Sequence, residues 1–527
     1  MMNSFDPVLL EVIKQALSAI SEEMGVILLK ASYSPNIKER RDFSCALFDD
    51  QGRLVAQAAH IPVHLGSMQL SVASAILECS PLYPGDQVIL NDPYHGGTHL
   101  PDITLVAPVY LDTGSEPRLV GYVANRAHHA DVGGITSGSM PIAREIYQEG
   151  LVIPPAKLFE RGQLNQGLFA TLLANVRTPI ERSGDLWAQV AANRRGADRL
   201  IETFTRFSFP VLTRYMEELL AYTERMTRAL IQKIPPGVYD FSDFLDDDGI
   251  TDEPVLIKVR ITVDDDQAIV DFNGSSLQVT GSLNAVEAIT LSAVYYVFRS
   301  LIGLDIPNNA GCLIPIHVLA PLGSVVNARH PAPVAGGNVE TSQRIVDVLF
   351  GALSKALPDL VPAASQGTMN NVTIGGWDPD KNAPFAYYET IGGGTGARPD
   401  SDGASAVHSH MTNTLNTPVE ALEFEYPLRV QSYQIRHGSG GSGRYLGGDG
   451  IIREIELLCD AEISLITERR KYPPYGLHGG LPGSCGMNQL IAGGETYPLP
   501  GKGSLHAHKG SVLVVATPGG GGFGNSG

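Results

Sequence analysis

The chain has 527 residues, of which 43% are hydrophobic and 18% charged, and its formal net charge is −18. These values are typical of a soluble globular protein of two or more domains, and the negative charge argues against nucleic-acid or anionic-membrane partners. The N-terminus lacks the pattern of a signal peptide, no apolar run reaches the ~20 residues of a membrane helix, and the cysteines form no CxxC pair. We therefore expect a cytoplasmic protein.

The first part of the chain predicts helices and strands in mixed order. Asp6 and Pro7 are typical of a helix start, and apolar residues then recur at helical spacing to about Lys30. A hairpin, a helix and three strands are predicted next, over residues 43–58, 64–79, 87–90, 103–111 and 119–125.

A helical pattern from Gly184 to Ile234, broken at Pro210, ends at Pro235-Pro236-Gly237. A hairpin and two helices follow, and after Gly367 frequent glycine predicts strands joined by long ordered loops. The expected fold is a large multi-domain α+β chain. Three domains are predicted. Residues 1–234 form an N-terminal mixed α/β domain with a metal site and a helical segment. Residues 235–366 form an α+β middle domain, and residues 367–527 form a glycine-rich, β-dominated C-terminal domain.

Histidine and aspartate are concentrated in two glycine-edged segments that each follow a predicted strand, 91–102 and 125–134. Imidazole and carboxylate groups suit a borderline metal such as zinc, manganese or iron(II). The candidate ligands and neighbouring acid–base groups are Asp42, His99, Asp102, His128, His129 and Asp131. No fixed metal signature is matched, so spacing alone leaves a second interpretation open, in which these side chains hydrogen-bond turns and strand ends.

Other motifs are less specific. His60 and His64 could line the same pocket, or they could belong to a helix start. Residues 438–443 match GxGxxG, but no βαβ unit surrounds them, and a structural glycine loop is the favoured interpretation. Lys502 lacks the upstream glycine of a Walker A loop. The sequence therefore offers no site for binding and cleaving ATP.

At its histidine segments and several others, the chain resembles the hydantoinase B/5-oxoprolinase family, the non-ATPase subunit of ATP-dependent hydantoinases, oxoprolinases and lactamases. The resemblance runs from end to end, through segments 39–44, 91–102, 128–134, 337–343, 416–420, 436–450 and 517–524. It extends to a subunit of the acetone and acetophenone carboxylases.

The resemblance implies that a hydantoinase A-type partner binds ATP with magnesium, in an (αβ)2 assembly. It also implies that this chain holds one divalent metal, with zinc favoured over manganese or iron, through Asp42, His99, Asp102 and His128. His129 is an alternative to His128, and His129 or Asp131 could move protons. The expected function is ATP-dependent opening of a small cyclic amide, as in an N-methylhydantoinase, another hydantoinase or a 5-oxoprolinase. A ketone carboxylase subunit and a non-catalytic scaffold are the alternatives.

Overall fold

The computed structural model describes residues 6–58, 61–114, 116–303 and 306–525, so His60 lies outside the described residues. The predicted α+β class is confirmed: helices pack on several sheets, and the C-terminal part is dominated by strands. In the part of the chain that the structure describes, no helix combines the length and the apolar character needed to cross a bilayer.

The N-terminal part is built on an antiparallel sheet with the strand order β2-β1-β5-β4-β3-β6-β7. Its strands are β1 (Phe43–Phe48), β2 (Leu54–Ala58), β3 (Gln87–Leu90), β4 (Asp102–Leu111), β5 (Arg118–His128), β6 (Ala156–Glu160) and β7 (Gln163–Leu164). Its helices are α1 (Pro7–Ala31), α2 (Pro35–Lys38), α3 (Ser67–Cys79), α4 (Gln166–Ala174), α5 (Pro179–Phe207) and α6 (Phe209–Ile231). The predicted hairpin, strands and helices of this region are therefore confirmed.

The helices cover both faces of this first sheet. Asp6 caps α1 by accepting a hydrogen bond from the backbone N–H of Val8 over 2.9 Å, and the buried face of α1 packs with α5 and α6 on one side. Helix α3 covers the opposite side. The chain breaks between α5 and α6 at Ser208, whose φ is 65°, and Pro210 lies in the first turn of α6, where a proline is tolerated.

The middle part shares its apolar core with the first sheet. Its strands are β8 (Gly237–Leu245), β9 (Val255–Asp264), β10 (Gln267–Asp271) and β11 (Ile316–Leu319), in the order β11-β10-β9-β8. Its helices are α7 (Glu287–Ile302) and α8 (Ser342–Leu353), and a π-helical turn, Gly337–Thr341, leads into α8. One cluster of buried side chains contains Leu105 of β4, Leu186 of α5, Ile257 of β9 and Val346 of α8. The predicted boundary at residue 234 thus falls within a continuous core.

The C-terminal part consists of two packed sheets with a separate core. The first contains β12 (Asn371–Asp378), β13 (Ala383–Glu389), β16 (Ala461–Ile466) and β19 (Lys502–Ala507), in the order β13-β12-β16-β19. The second contains β14 (Leu428–Arg436), β15 (Gly450–Leu457), β17 (Met487–Ala492), β18 (Glu495–Leu499) and β20 (Val512–Ala516), in the order β14-β15-β20-β17-β18. Helix α9 (Val419–Glu425) precedes β14.

The glycine-rich segments of this part are structural, as the sequence favoured. Gly441 N–H donates to the carbonyl oxygen of Gly520 over 2.8 Å, and Gly520 N–H donates to that of Gly448 over 2.9 Å. A Cβ atom on Gly520 would lie 1.9 Å from the carbonyl oxygen of Thr395. These loops therefore pack backbone against backbone, which only glycine allows.

Candidate metal centre

Three strands of the first sheet place carboxylate and imidazole side chains side by side. Asp102 begins β4 and pairs directly with His128, the last residue of β5. On the other side of β5, Phe43 of β1 pairs with Ala127, and the His128 N–H donates to the carbonyl oxygen of Asp42 over 3.0 Å. Opposed residues of paired strands point to the same face. Asp42, His128 and Asp102 therefore form a row.

Two more histidines approach Asp102 from segments next to the strands. His99 lies in the turn before β4, where the Asp102 N–H donates to its carbonyl oxygen over 3.1 Å. His64 ends the short turn Pro62–His64 that leads into α3. Its Nδ1 lies 3.0 Å from Ser44 Oγ, and its Nε2 lies 3.3 Å from Asp102 Oδ2. Of the two alternatives for His64, the structure supports the pocket position.

The geometry of this cluster fits a metal ion. Among the described residues, His99, Asp102 and His128 form a fully buried group whose ligand atoms all lie within 4.8 Å of one another. His99 Nε2 is 3.4 Å from Asp102 Oδ2, and His128 Nδ1 is 3.5 Å from Asp102 Oδ1. Ligands of tetrahedral zinc at ordinary bond lengths are about 3.3–3.6 Å apart. Asp42 Oδ2 lies 3.9 Å from His128 Nδ1, so the fourth predicted ligand is adjacent.

The protonation states also suit metal binding. Burial by itself would raise the pKa of Asp102, but the charges of His99 and His64 hold that pKa well below its ordinary value. Burial lowers the pKa of His128. The site therefore favours an ionised Asp102 carboxylate and a neutral His128 imidazole, the forms in which these two groups bind metals.

The cluster lines a small cavity beside a larger open cleft. The cavity measures about 20 Å³, which is room for about one water molecule or one ion. The neighbouring cleft measures about 360 Å³ and is lined by Pro62, Tyr296, His408, His410 and Thr412, among others. Thr412 lines both spaces. The cleft is therefore an open space adjacent to the cavity.

The structure adds two residues of the cavity that sequence reasoning missed. The ring of Tyr388 stacks on His128 with a centroid distance of 4.6 Å and an angle of 8°. Asn338 Nδ2 lies 3.1 Å from His99 Nε2. Tyr388 carries no local signal, because it is one of several aromatic residues in β13. Asn338 lies in a segment that supports the family resemblance, which was the available signal.

His129 and Asp131 lie elsewhere. Gln189 Nε2 donates to Ile103 O and to Asn125 Oδ1, so its Oε1 accepts from His129 Nε2–H over 2.9 Å. Burial lowers the pKa of His129 to about 4, so this imidazole is neutral. The Asp131 carboxylate lies 3.2 Å from Arg177. Both side chains line a second cavity, against α4 and α5, and their predicted part in proton transfer stays a prediction.

Comparison with known proteins assigns the family. The model of the hydantoinase B/oxoprolinase family matches residues 6–526. The chain belongs to this family. It is 43% identical to an uncharacterized protein of Methanocaldococcus jannaschii, covering 99% of this chain and 91% of that one. It is 40% identical to 5-oxoprolinase 1 of Arabidopsis thaliana and 33% identical to a Pseudomonas sp. protein named as one subunit of a D-/L-hydantoinase.

The lengths of these family members differ. The matches cover 42% of the Arabidopsis protein and 91% of the Pseudomonas protein, with 99% of this chain in both cases. This hydantoinase B family chain therefore spans about two fifths of the 5-oxoprolinase it matches.

Solved structures of similar fold agree with the family. The ATP-dependent caprolactamase of Pseudomonas jessenii superimposes with a TM-score of 0.91 at 30% identity, covering 99% of this chain and 92% of that one. A nucleotide-free acetone carboxylase chain superimposes with a TM-score of 0.88 at 20% identity, covering 98% of this chain and 76% of that one. The second likeness concerns the fold alone.

Proposed function

We propose that this hydantoinase B family chain is the metal-binding subunit of an ATP-dependent cyclic amide hydrolase. The observation that carries the proposal is the buried group of His99, Asp102 and His128, with Asp42 beside it. Relatives named for cyclic amide chemistry, a 5-oxoprolinase, a hydantoinase subunit and a caprolactamase, support the reaction class.

The proposed metal ligands are Asp42, His99, Asp102 and His128. A bound divalent metal, with zinc our first choice, would act as a Lewis acid and lower the pKa of a water molecule. The protein side chains orient the ligands: His64 Nε2–H donates to the Asp102 carboxylate, His64 Nδ1 lies within hydrogen-bonding distance of Ser44 Oγ, and the Tyr388 ring stacks on the His128 ring. His129 and Asp131 face away from this cavity, so a contribution from them would act through the sheet.

We also propose a partner that supplies ATP chemistry. Ring opening would couple hydrolysis of ATP to ADP and phosphate with addition of water across the amide C–N bond. The sequence has no Walker A loop, and the related Pseudomonas protein is named as one subunit of a larger hydantoinase. A hydantoinase A-type ATPase in an (αβ)2 assembly is therefore the partner we propose, and the open cleft beside Thr412 is where the ring would enter.

The first test is metal analysis of the purified chain by plasma mass spectrometry. We expect about one zinc, manganese or iron ion per chain, and its loss in His99→Ala and Asp102→Asn. His437→Ala, which changes an exposed histidine outside the centre, serves as the control and should keep the metal. Equal metal content in all these proteins would rule out the proposed ligands.

The second test is activity of the chain reconstituted with a candidate ATPase partner. Hydantoin, caprolactam and 5-oxoproline would each be incubated with ATP, and both ADP and the ring-opened product would be measured. We expect ADP and product to form together and to require His99. ATP consumption that instead requires bicarbonate and a ketone would favour the carboxylase alternative. Full activity of Asp42→Ala and His99→Ala would indicate a scaffold.

A further inference from the structure

A second group of possible metal ligands lies on the surface of the C-terminal part, outside the centre described above. Asp460 directly precedes β16, His506 lies in β19, and His508 directly follows β19. The ligand atoms of these three residues, here called the surface histidine cluster, all lie within 4.8 Å of one another. The side chains of Asp460 and His508 are 58% and 80% exposed, so the cluster is open to metal ions in solution.

The strand register explains why these side chains meet. Strands β16 and β19 are antiparallel neighbours in which Ala461 pairs with Ala507 and Glu462 pairs with His506. Side chains alternate along a strand, so His506 and His508 point to the same face, as do Asp460 and Glu462. Two imidazoles and two carboxylates therefore share one face of this strand pair.

Hydrogen bonding within the protein already holds the Asp460 carboxylate in a position from which it can bind a metal ion. Its Oδ1 accepts a hydrogen bond from the backbone N–H of Lys509 over 2.9 Å. Its Oδ2 lies 3.4 Å from His508 Nδ1, a separation within the range of about 3.3–3.6 Å expected for two ligands of tetrahedral zinc. The rings of His506 and His508 have centroids 5.3 Å apart and are nearly perpendicular, at 86°.

The surroundings are acidic. Asp460 and Glu462 bring two carboxylates to the face that carries the two imidazoles, and Lys509, next to His508, brings one cation. Negative charge at this end of the sheet favours a cation over an anion. A donor set of two imidazoles and one carboxylate selects borderline transition metals over magnesium or calcium, which prefer oxygen ligands.

We propose that Asp460, His506 and His508 form a second metal site, which binds a borderline divalent cation such as Zn²⁺, Ni²⁺ or Cu²⁺ at the protein surface. These three side chains supply the protein ligands, and water fills the remaining positions. The bound ion joins the turn before β16 to the end of β19, which is the edge strand of its sheet. This proposal does not depend on the proposed function, because the two sites share no residue.

The experiment is a calorimetric titration of the full chain with Zn²⁺ and, separately, Ni²⁺, after chelator treatment and removal of the chelator. We expect two classes of zinc site, a tight buried one and a weaker exposed one. His508→Ala should weaken the exposed class by about tenfold or more, because it removes one of three protein ligands. Since His508 is exposed, the variant should fold normally, which circular dichroism checks.

Two matched variants separate the sites. His437→Ala removes another exposed histidine beside an aspartate, Asp449, and should leave both classes unchanged. His99→Ala should remove the tight class and leave the exposed class. The surface site is refuted if His508→Ala binds zinc and nickel like the original chain, or if His437→Ala weakens the exposed class equally. Retention of the tight class in His99→Ala would instead refute the buried centre and leave the surface site supported.

Discussion

At the scale of single residues, two adjacent histidines take different positions. Successive side chains of an extended strand point to opposite faces, so His128 faces Asp102 while His129 faces Gln189. Both are fully buried, and the family resemblance favoured His128 while leaving His129 as the alternative. From these positions we expect His128 to bind the metal and His129 not to bind it.

We predict that His128→Ala loses the metal of the buried centre, whereas His129→Ala retains it. The reason is that only the first change removes an imidazole beside Asp102. Plasma mass spectrometry of both variants, with circular dichroism to check folding, is the measurement. Equal metal content in the two variants would contradict the assignment, because His128 would then matter no more for metal binding than His129.

At the scale of elements, one buried carboxylate connects a loop of the N-terminal part to the segment that carries Asn338. Glu149 Oε1 accepts hydrogen bonds of 2.9 Å from the backbone N–H groups of Val334 and Ala335, just before the π-helical turn. Burial raises the pKa of Glu149 to about 8, although these hydrogen bonds act in the opposite direction. Glu149 thereby positions the helical segment whose Asn338 contacts His99.

We predict that Glu149→Gln changes the pH dependence of stability. The folded-state pKa of about 8 lies above the ordinary value of 4.5, so the folded protein retains a proton that the unfolded chain releases. Relative to Glu149→Gln, the original protein should lose stability as pH rises from 4.5 to 8, by at most about 1.4 kcal/mol per pH unit, and no further above 8. Denaturant unfolding of both proteins from pH 5 to pH 9 is the measurement.

The control for this experiment is Glu160→Gln, which changes an exposed glutamate at the end of β6. Its free energy of unfolding should follow that of the original protein across the same pH range. If the free energy of unfolding changed with pH in the same way for the original protein and for Glu149→Gln, Glu149 would not retain its proton on folding.

We predict that Gly520→Ala destabilises the protein by more than about 3 kcal/mol. The added Cβ would overlap the carbonyl oxygen of Thr395, which is backbone and cannot rotate away. Gly167→Ala is the matched control. A Cβ atom on Gly167 would lie 3.6 Å from Asn165 Oδ1, which is an ordinary contact. Gly167 lies in helix α4, and helices favour alanine over glycine by about 0.5–1 kcal/mol. Thermal and denaturant unfolding compare the variants. Similar stabilities for the two would contradict the tight packing of the glycine loops.

At the scale of the whole molecule, the buried centre is assembled from distant parts of the chain. One apolar cluster extends from Ile61 to Ile466 and includes side chains of the first sheet, β9 and α8. The cavity beside Asp102 is likewise completed by Asn338, Tyr388 and Thr412. Cutting the chain at the predicted boundary would therefore expose both the core and the site.

We predict that residues 6–234, expressed alone, do not form a cooperatively folded unit with the metal centre. The fragment would expose the apolar face that β9 and α8 cover in the intact chain. Near-ultraviolet circular dichroism and hydrogen exchange measure its tertiary structure, and mixing with residues 235–525 should restore both native structure and metal binding. A fragment that unfolds cooperatively and binds zinc by itself would instead support an independent N-terminal domain.

The sequence by itself determined the elements whose signals are local: α1 from its cap and apolar spacing, β4 and β5 from their apolar runs, and the break near Pro210. It also singled out Asp42, His99, Asp102 and His128 as a group, through the segments shared with the family. Tertiary structure alone decided that His128 faces the cluster, that His64 supports Asp102, and that Tyr388 and Asn338 complete the cavity. Side-chain direction depends on strand register, and contacts between residues hundreds of positions apart depend on how sheets pack; neither is encoded in local spacing.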